Sequence, residues 1–160
     1  MDIKNRFHTN SSYMLVRAEH LIVVVACSVL ALMHIGEINW WRFIGAFLII
    51  DLVGYIPGAI VYHRQKGGPI PAGYHYMYNI MHSYITAAAW VGIWALLIGG
   101  FEWAMLALPI HLSGDRSIFG NIYKPSTLSF EPVPYAEYKQ QAAAAGININ
   151  ESLAEGVLEN

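Results

Sequence analysis

At 160 residues, with 56% apolar and only 12% charged side chains and a net charge of −2, the chain is too apolar for an ordinary soluble domain, where about a quarter of residues are charged. Its single cysteine, Cys27, excludes both an intrachain disulfide framework and a cysteine-rich zinc site. No Walker-type loop, dinucleotide fingerprint or basic stripe is present, so nucleotide and nucleic-acid binding have no footing.

Apolar segments long enough to approach the roughly 20 residues a membrane crossing needs fall at 13–35, 41–62, 74–98 and 101–119. The first follows a polar leader and shows no small-residue cleavage signature, so it is expected to persist rather than be removed. Arg17, Glu19 and His20 lie in its opening turns, and His34 with Glu37 forms an i,i+3 pair at its far end. Segment two carries Asp51 roughly 15 Å from its start, with Tyr55 one turn on and Pro57 as a predicted kink. Segment three places His75, Asn79, His82 and Thr86 at steps of four, three and four, which is one face of a continuous helix. Gly99-Gly100 ends it in a tight connection that makes segments three and four antiparallel neighbours. Segment four carries Pro109 and then His111, Asp115 and Arg116. Small residues Gly54, Gly58, Ala59 and Ala87 to Ala89 permit close helix approach, and Trp40, Trp41, Trp94 and Trp103 sit where interfacial anchors belong.

The pattern predicts an all-α polytopic protein: four transmembrane helices in an antiparallel bundle over residues 1–124, then a cytoplasmic tail over 125–160. Pro125, Pro132 and Pro134 open that tail, a short helix is expected over 135–145 up to Gly146, and Glu151, Glu155 and Glu159 mark a mobile acidic end. Four spans put Lys4, Arg6, Arg17, Arg64, Lys66, Arg116, Lys124 and Lys139 on one side and Arg42 alone on the other. That asymmetry predicts both termini in the cytoplasm of a protein integral to the cell membrane.

Charged groups at bilayer depth are costly and face protein or water. Counted by helical rise, Asp51, His82, His111 and Asp115 fall at similar depth on three helices, so their polar stripes are best satisfied by facing one another. We therefore expect a polar pocket open to the cytoplasmic leaflet. Histidine beside carboxylate suits acid–base catalysis, with His82 or His111 moving a proton and Asp51 or Asp115 orienting it. Arg116, Tyr55, Tyr78, Asn79, Arg17 and Glu19 are the candidates for holding substrate. Interhelical hydrogen bonds are the plainer role for Asn79, Thr86 and Tyr55, as are structural pairing of Arg17 with Glu19 and of Arg116 with Asp115.

The elements Arg17-Ala18-Glu19, Asp51 with Gly54-Tyr55, Gly58-Ala59, Tyr78-Asn79-Ile80-Met81-His82-Ser83-Tyr84, His111 with Asp115-Arg116, and Gly120 with Tyr123-Lys124-Pro125 together resemble a family of small bacterial integral membrane proteins classed as a domain of unknown function. The resemblance covers roughly residues 13–130. One departure is the stretch 63–69, which intervenes here between the Gly-Ala and Tyr-Asn-x-x-His elements. The resemblance implies a shared fold and polar cluster, and it supplies no activity.

Three functions compete on these residues. The favoured expectation is a membrane enzyme doing isomerase, cyclase or hydrolase chemistry on a lipidic or other hydrophobic substrate, with no cofactor required. A metal-dependent oxidoreductase is the second, in which His82, His111, Asp51 and Asp115 hold iron or zinc, although HExxH and repeated ExxH elements are lacking. The third is a non-catalytic subunit of a larger membrane complex. Expected partners are membrane lipids or a hydrophobic small molecule, a second copy or a larger assembly, and no nucleic acid.

Overall fold

The computed structural model of the chain describes residues 10–131, and among these every regular element is helical. In chain order they are α1 (Asn10–Met33), α2 (Trp40–Gly54), α3 (Ile56–Arg64), α4 (Ala72–Met81), α5 (Tyr84–Ile98), a 3-10 turn (Trp103–Leu106), α6 (Ala107–Gly114) and a π-helical turn (Asp115–Phe119). The expected tail helix over 135–145 and the acidic end lie outside the described residues.

Two helical stretches, Tyr13–Met33 and Trp40–Arg64, are long and apolar enough to cross a membrane, and α4 with α5 makes a third if that bent pair is one span. Their outward faces agree with this. Ile22, Leu32, Ile85, Leu96 and Leu97 are 67% to 84% exposed, an arrangement that water would penalise and hydrocarbon would not.

α6 lies at the centre, packed against α1, α2 and α5. Its residues Ala107, Leu108 and Leu112 form a core with Ala46, Ile50 and Ala87. A second core joins Ala59 and Tyr62 of α3, Tyr78 of α4 and Phe130, which belongs to a strap over residues 120–131. Ala88 and Ala89, expected at a helix contact, are exposed instead.

Local sequence accounts for most breaks. The second span loses regular helix at Tyr55, two residues before Pro57, whose ring lacks an N–H and crowds the carbonyl four residues back. Gly99 ends α5 in the left-handed region (φ 80°), with the Gly100 N–H returning to the Ala95 carbonyl at 2.9 Å. The π-helical turn closes at Gly120 (φ 72°), and α1 covers its free carbonyls: Arg17 Nε donates to Ser117 O at 2.7 Å, Arg17 Nη2 to Ile118 O at 3.1 Å, and Tyr13 OH to Gly120 O at 3.2 Å.

The third predicted segment is not one continuous helix. It breaks at His82-Ser83 and bends by 55°, because His82 closes α4 while the Ser83 hydroxyl accepts from the Ile85 N–H at 3.1 Å and starts α5 afresh. The break corrects the expected His75–Asn79–His82–Thr86 stripe. Thr86 belongs to α5 and lines a small apolar cleft with Ile49, Ile50, Met81, Trp90 and Leu108.

At the other end of the fold the loops are latched together. Glu37 accepts from Trp103 Nε1 at 3.0 Å and pairs with His34 Nδ1 at 2.9 Å, as its i,i+3 spacing predicts. Those two hydrogen bonds, the His34 one foremost, hold the Glu37 carboxyl below the usual glutamate range. Glu102 similarly joins Arg42 at 2.8 Å and Trp94 Nε1 at 3.2 Å.

Candidate functional site

Asp51 from α2, His82 from the α4–α5 break, and His111 with Asp115 from α6 and its π-helical end converge on one point. Each offers a nitrogen or oxygen, and the four atoms all lie within 4.8 Å of one another. His82 Nε2 stands 3.2 Å from both Asp51 Oδ1 and Asp115 Oδ2, while His111 Nε2 stands 3.6 Å and 3.9 Å from the same two oxygens. Both imidazoles are buried, and the Asp51 carboxylate is the open member at 39% exposure against 17% for Asp115.

Several local choices build this geometry. The helix break delivers His82 at the end of α4, where its Nδ1 meets the Tyr78 carbonyl at 3.0 Å. A carbonyl only accepts, so Nδ1 carries the hydrogen and Nε2 is the atom presented to the carboxylates. Gly54 gives the ring room: a Cβ there would lie 2.7 Å from Met81 Cβ and 3.2 Å from His82 Cε1 and Nδ1. His111 and Asp115 share a helical face by their i,i+4 spacing, and Phe47 packs edge-on to the His111 ring with centroids 4.6 Å apart.

Among the described residues, hydrogen bonding alone does not satisfy the cluster. His82 Nε2 has one hydrogen at most for two carboxylates, and neither ring nitrogen of His111 has a hydrogen-bond partner. Two carboxylates this close repel each other in a weakly polar interior. Ligands bound at about 2.0–2.2 Å to a shared ion stand about 3–4 Å apart, so the four imidazole–carboxylate distances are of a size that a single cation could bridge.

The other expected site residues surround this point in different ways. Arg116 does not pair with Asp115; its Nη2 donates to the His82 carbonyl left free by the break, at 3.2 Å, and its guanidinium lies 4.7 Å over the Tyr84 ring. Tyr78 stacks on His82 with centroids 3.9 Å apart. Tyr55 lies near Tyr78 and Phe130, 6.4 Å and 6.0 Å between ring centroids. Asn79 faces the strap, donating to Lys124 O at 3.0 Å and accepting from Lys124 N–H at 2.7 Å. Arg17 serves the π-helical turn rather than Glu19, and Glu19 is exposed with no part in the cluster.

Sequence reasoning missed the strap. Lys124 is buried with its ammonium 2.5 Å from the Phe130 carbonyl and 3.6 Å from Glu131, over the rings of Tyr55, Tyr78 and Phe130. Burial pushes its pKa down from the ordinary lysine range, against the pull of Glu131. Phe130 fills the hollow left by the missing side chain of Gly58, and His75 Nε2 donates to the Leu128 carbonyl at 3.2 Å. The Tyr-Lys-Pro run after the last helix was the one available signal, and it carries no periodicity that foretells burial. No family model, curated protein or solved structure matches this chain.

Proposed function

We propose that the chain is a four-span integral membrane protein with both termini on the cytoplasmic side, and that Asp51, His82, His111 and Asp115 hold one divalent transition-metal ion, iron or zinc, for chemistry on a hydrophobic substrate. The observation that carries this reading is the convergence of four ligating atoms within 4.8 Å, two of them on buried imidazoles and one of those without any other partner. Two carboxylates neutralise a divalent ion, which lowers the cost of keeping the site among apolar helices. The mixed nitrogen and oxygen donors suit iron or zinc better than a soft copper site. A His82 fixed through Nδ1–H on a carbonyl is the usual support for an imidazole that ligates through Nε2.

Held by these four residues, a divalent ion would supply Lewis-acid chemistry for a substrate oxygen or water. Asp51, the exposed ligand, marks the open side, and its helix neighbours Leu48 and Leu52 are exposed and apolar. These residues support access from the bilayer for a lipid-soluble substrate. Tyr55, one turn on from Asp51, and Arg116, next to Asp115, are the candidates to steady its polar end. The resemblance to the small bacterial membrane family, carried by the motifs already quoted, adds the expectation of a shared fold and polar cluster.

A metal-free reading is favoured by one observation, the equal 3.2 Å approach of His82 Nε2 to both carboxylates. A protonated His82 there would serve as general acid. Elemental analysis of detergent-purified protein separates the two. One zinc or iron per chain, lost in His111→Ala and Asp51→Asn with helix content kept, is the expected result; metal-free protein in every preparation would overturn the metal reading.

A further inference from the structure

Of the four proposed ligands, His82 alone comes from a helix break rather than a helix, so something outside regular secondary structure has to hold it. We infer that Tyr78 and Lys124 are positioning residues for His82, with the 120–131 strap acting as the brace that fixes its ring. This inference rests on the metal reading above.

Three contacts fix the imidazole. The Tyr78 carbonyl takes the Nδ1–H at 3.0 Å, the Tyr78 ring lies nearly parallel to it at 3.9 Å and 15°, and Gly54 lies against its Cε1–Nδ1 edge. Tyr78 is 2% exposed, yet its hydroxyl has no hydrogen-bond partner among the described residues. The hydroxyl therefore does not hold the ring in place; packing does. That packing is supplied from the strap, where the Lys124 ammonium sits 5.0 Å from the Tyr78 ring centroid and Phe130 packs edge-on against the same ring at 6.2 Å. The strap in turn is anchored to α4 next to Tyr78, through the paired hydrogen bonds between Asn79 and the Lys124 backbone. The chain thus runs Asn79 to Lys124 to Tyr78 to His82, and a cation–π contact in a desolvated setting is strong enough to matter at its middle link.

Outer partners that orient a metal-bound imidazole are typically worth 10–100-fold in metal affinity. Cobalt(II) is the probe, because its visible absorption reports ligand geometry as well as occupancy. In the full-length, detergent-solubilised chain, Tyr78→Phe keeps both the ring and the carbonyl and should bind cobalt with the wild-type spectrum and affinity. Tyr78→Leu and Lys124→Met should weaken cobalt binding by about 10–100-fold and shift the absorption bands. Asn79→Ala should move both readouts in the same direction, which keeps the test available should Tyr78→Leu fail to fold. Wild-type affinity and spectrum in both Lys124→Met and Asn79→Ala would overturn the inference and leave the metal reading standing. Wild-type protein that takes up no cobalt overturns both.

Discussion

At Gly54 the space that a Cβ needs is occupied by Met81 and His82, so Gly54→Ala must push the α4–α5 break away from α2. Overpacking of this kind costs about 1–3 kcal/mol, and denaturant unfolding in detergent should show that loss together with weaker metal binding. Gly92, in the interior of α5, has nothing within 4 Å, so Gly92→Ala should instead gain about 0.8–1 kcal/mol of helix propensity and leave the site untouched. Opposite signs at two helical glycines would show that the space beside His82, and not glycine content, is what matters. At this scale the sequence was readable where physics makes a residue expensive. Asp51, His82, His111 and Asp115 stand out because apolar helices do not carry such groups without cause. Lys124 did not stand out, because a lysine just past a helix end is ordinary until the strap folds over it.

The elements were legible as apolar segments, and their interruptions only partly so. Pro57 and Gly99 announced their breaks, whereas at His82-Ser83 a single serine N-cap is all that the local pattern offers, and the 55° bend depends on tertiary partners as well. Arg116 covers the His82 carbonyl there, so Arg116→Ala leaves a largely desolvated acceptor unpaired. The expected cost is about 1–3 kcal/mol in unfolding free energy, a loss that a role confined to substrate would not produce. The loop latch at the opposite end should respond to acid. Hydrogen bonds hold the Glu37 pKa down, so its contribution is present above the ordinary glutamate range and disappears as pH falls through the lowered value. Trp103 fluorescence is the readout: an acid-side change in the wild type should vanish in Glu37→Gln, and persistence of the same change in that variant would contradict the assignment.

For the molecule as a whole, the arrangement reverses a soluble protein, with apolar side chains outward and a titratable cluster within. The segment predicted as a fourth span over 101–119 is divided among a 3-10 turn, the eight-residue α6 and a π-helical turn, and the burial of α6 among its neighbours explains how His111 tolerates its position, with Asp115 just beyond it. Depth counting along separate helices brings the four groups to one level, which is why their convergence is legible in the sequence. Their mutual distances were not, since these depend on the bend at His82 and on the small residue at Gly54. X-ray absorption at the metal edge of the purified protein reads the proposed ligand set without a substrate. One ion in a shell of nitrogen and oxygen at about 2.0–2.2 Å is expected, with an imidazole scattering contribution that falls in His111→Ala. A shell containing sulfur, a shell unaltered in His111→Ala, or the lack of any stoichiometric metal would contradict it.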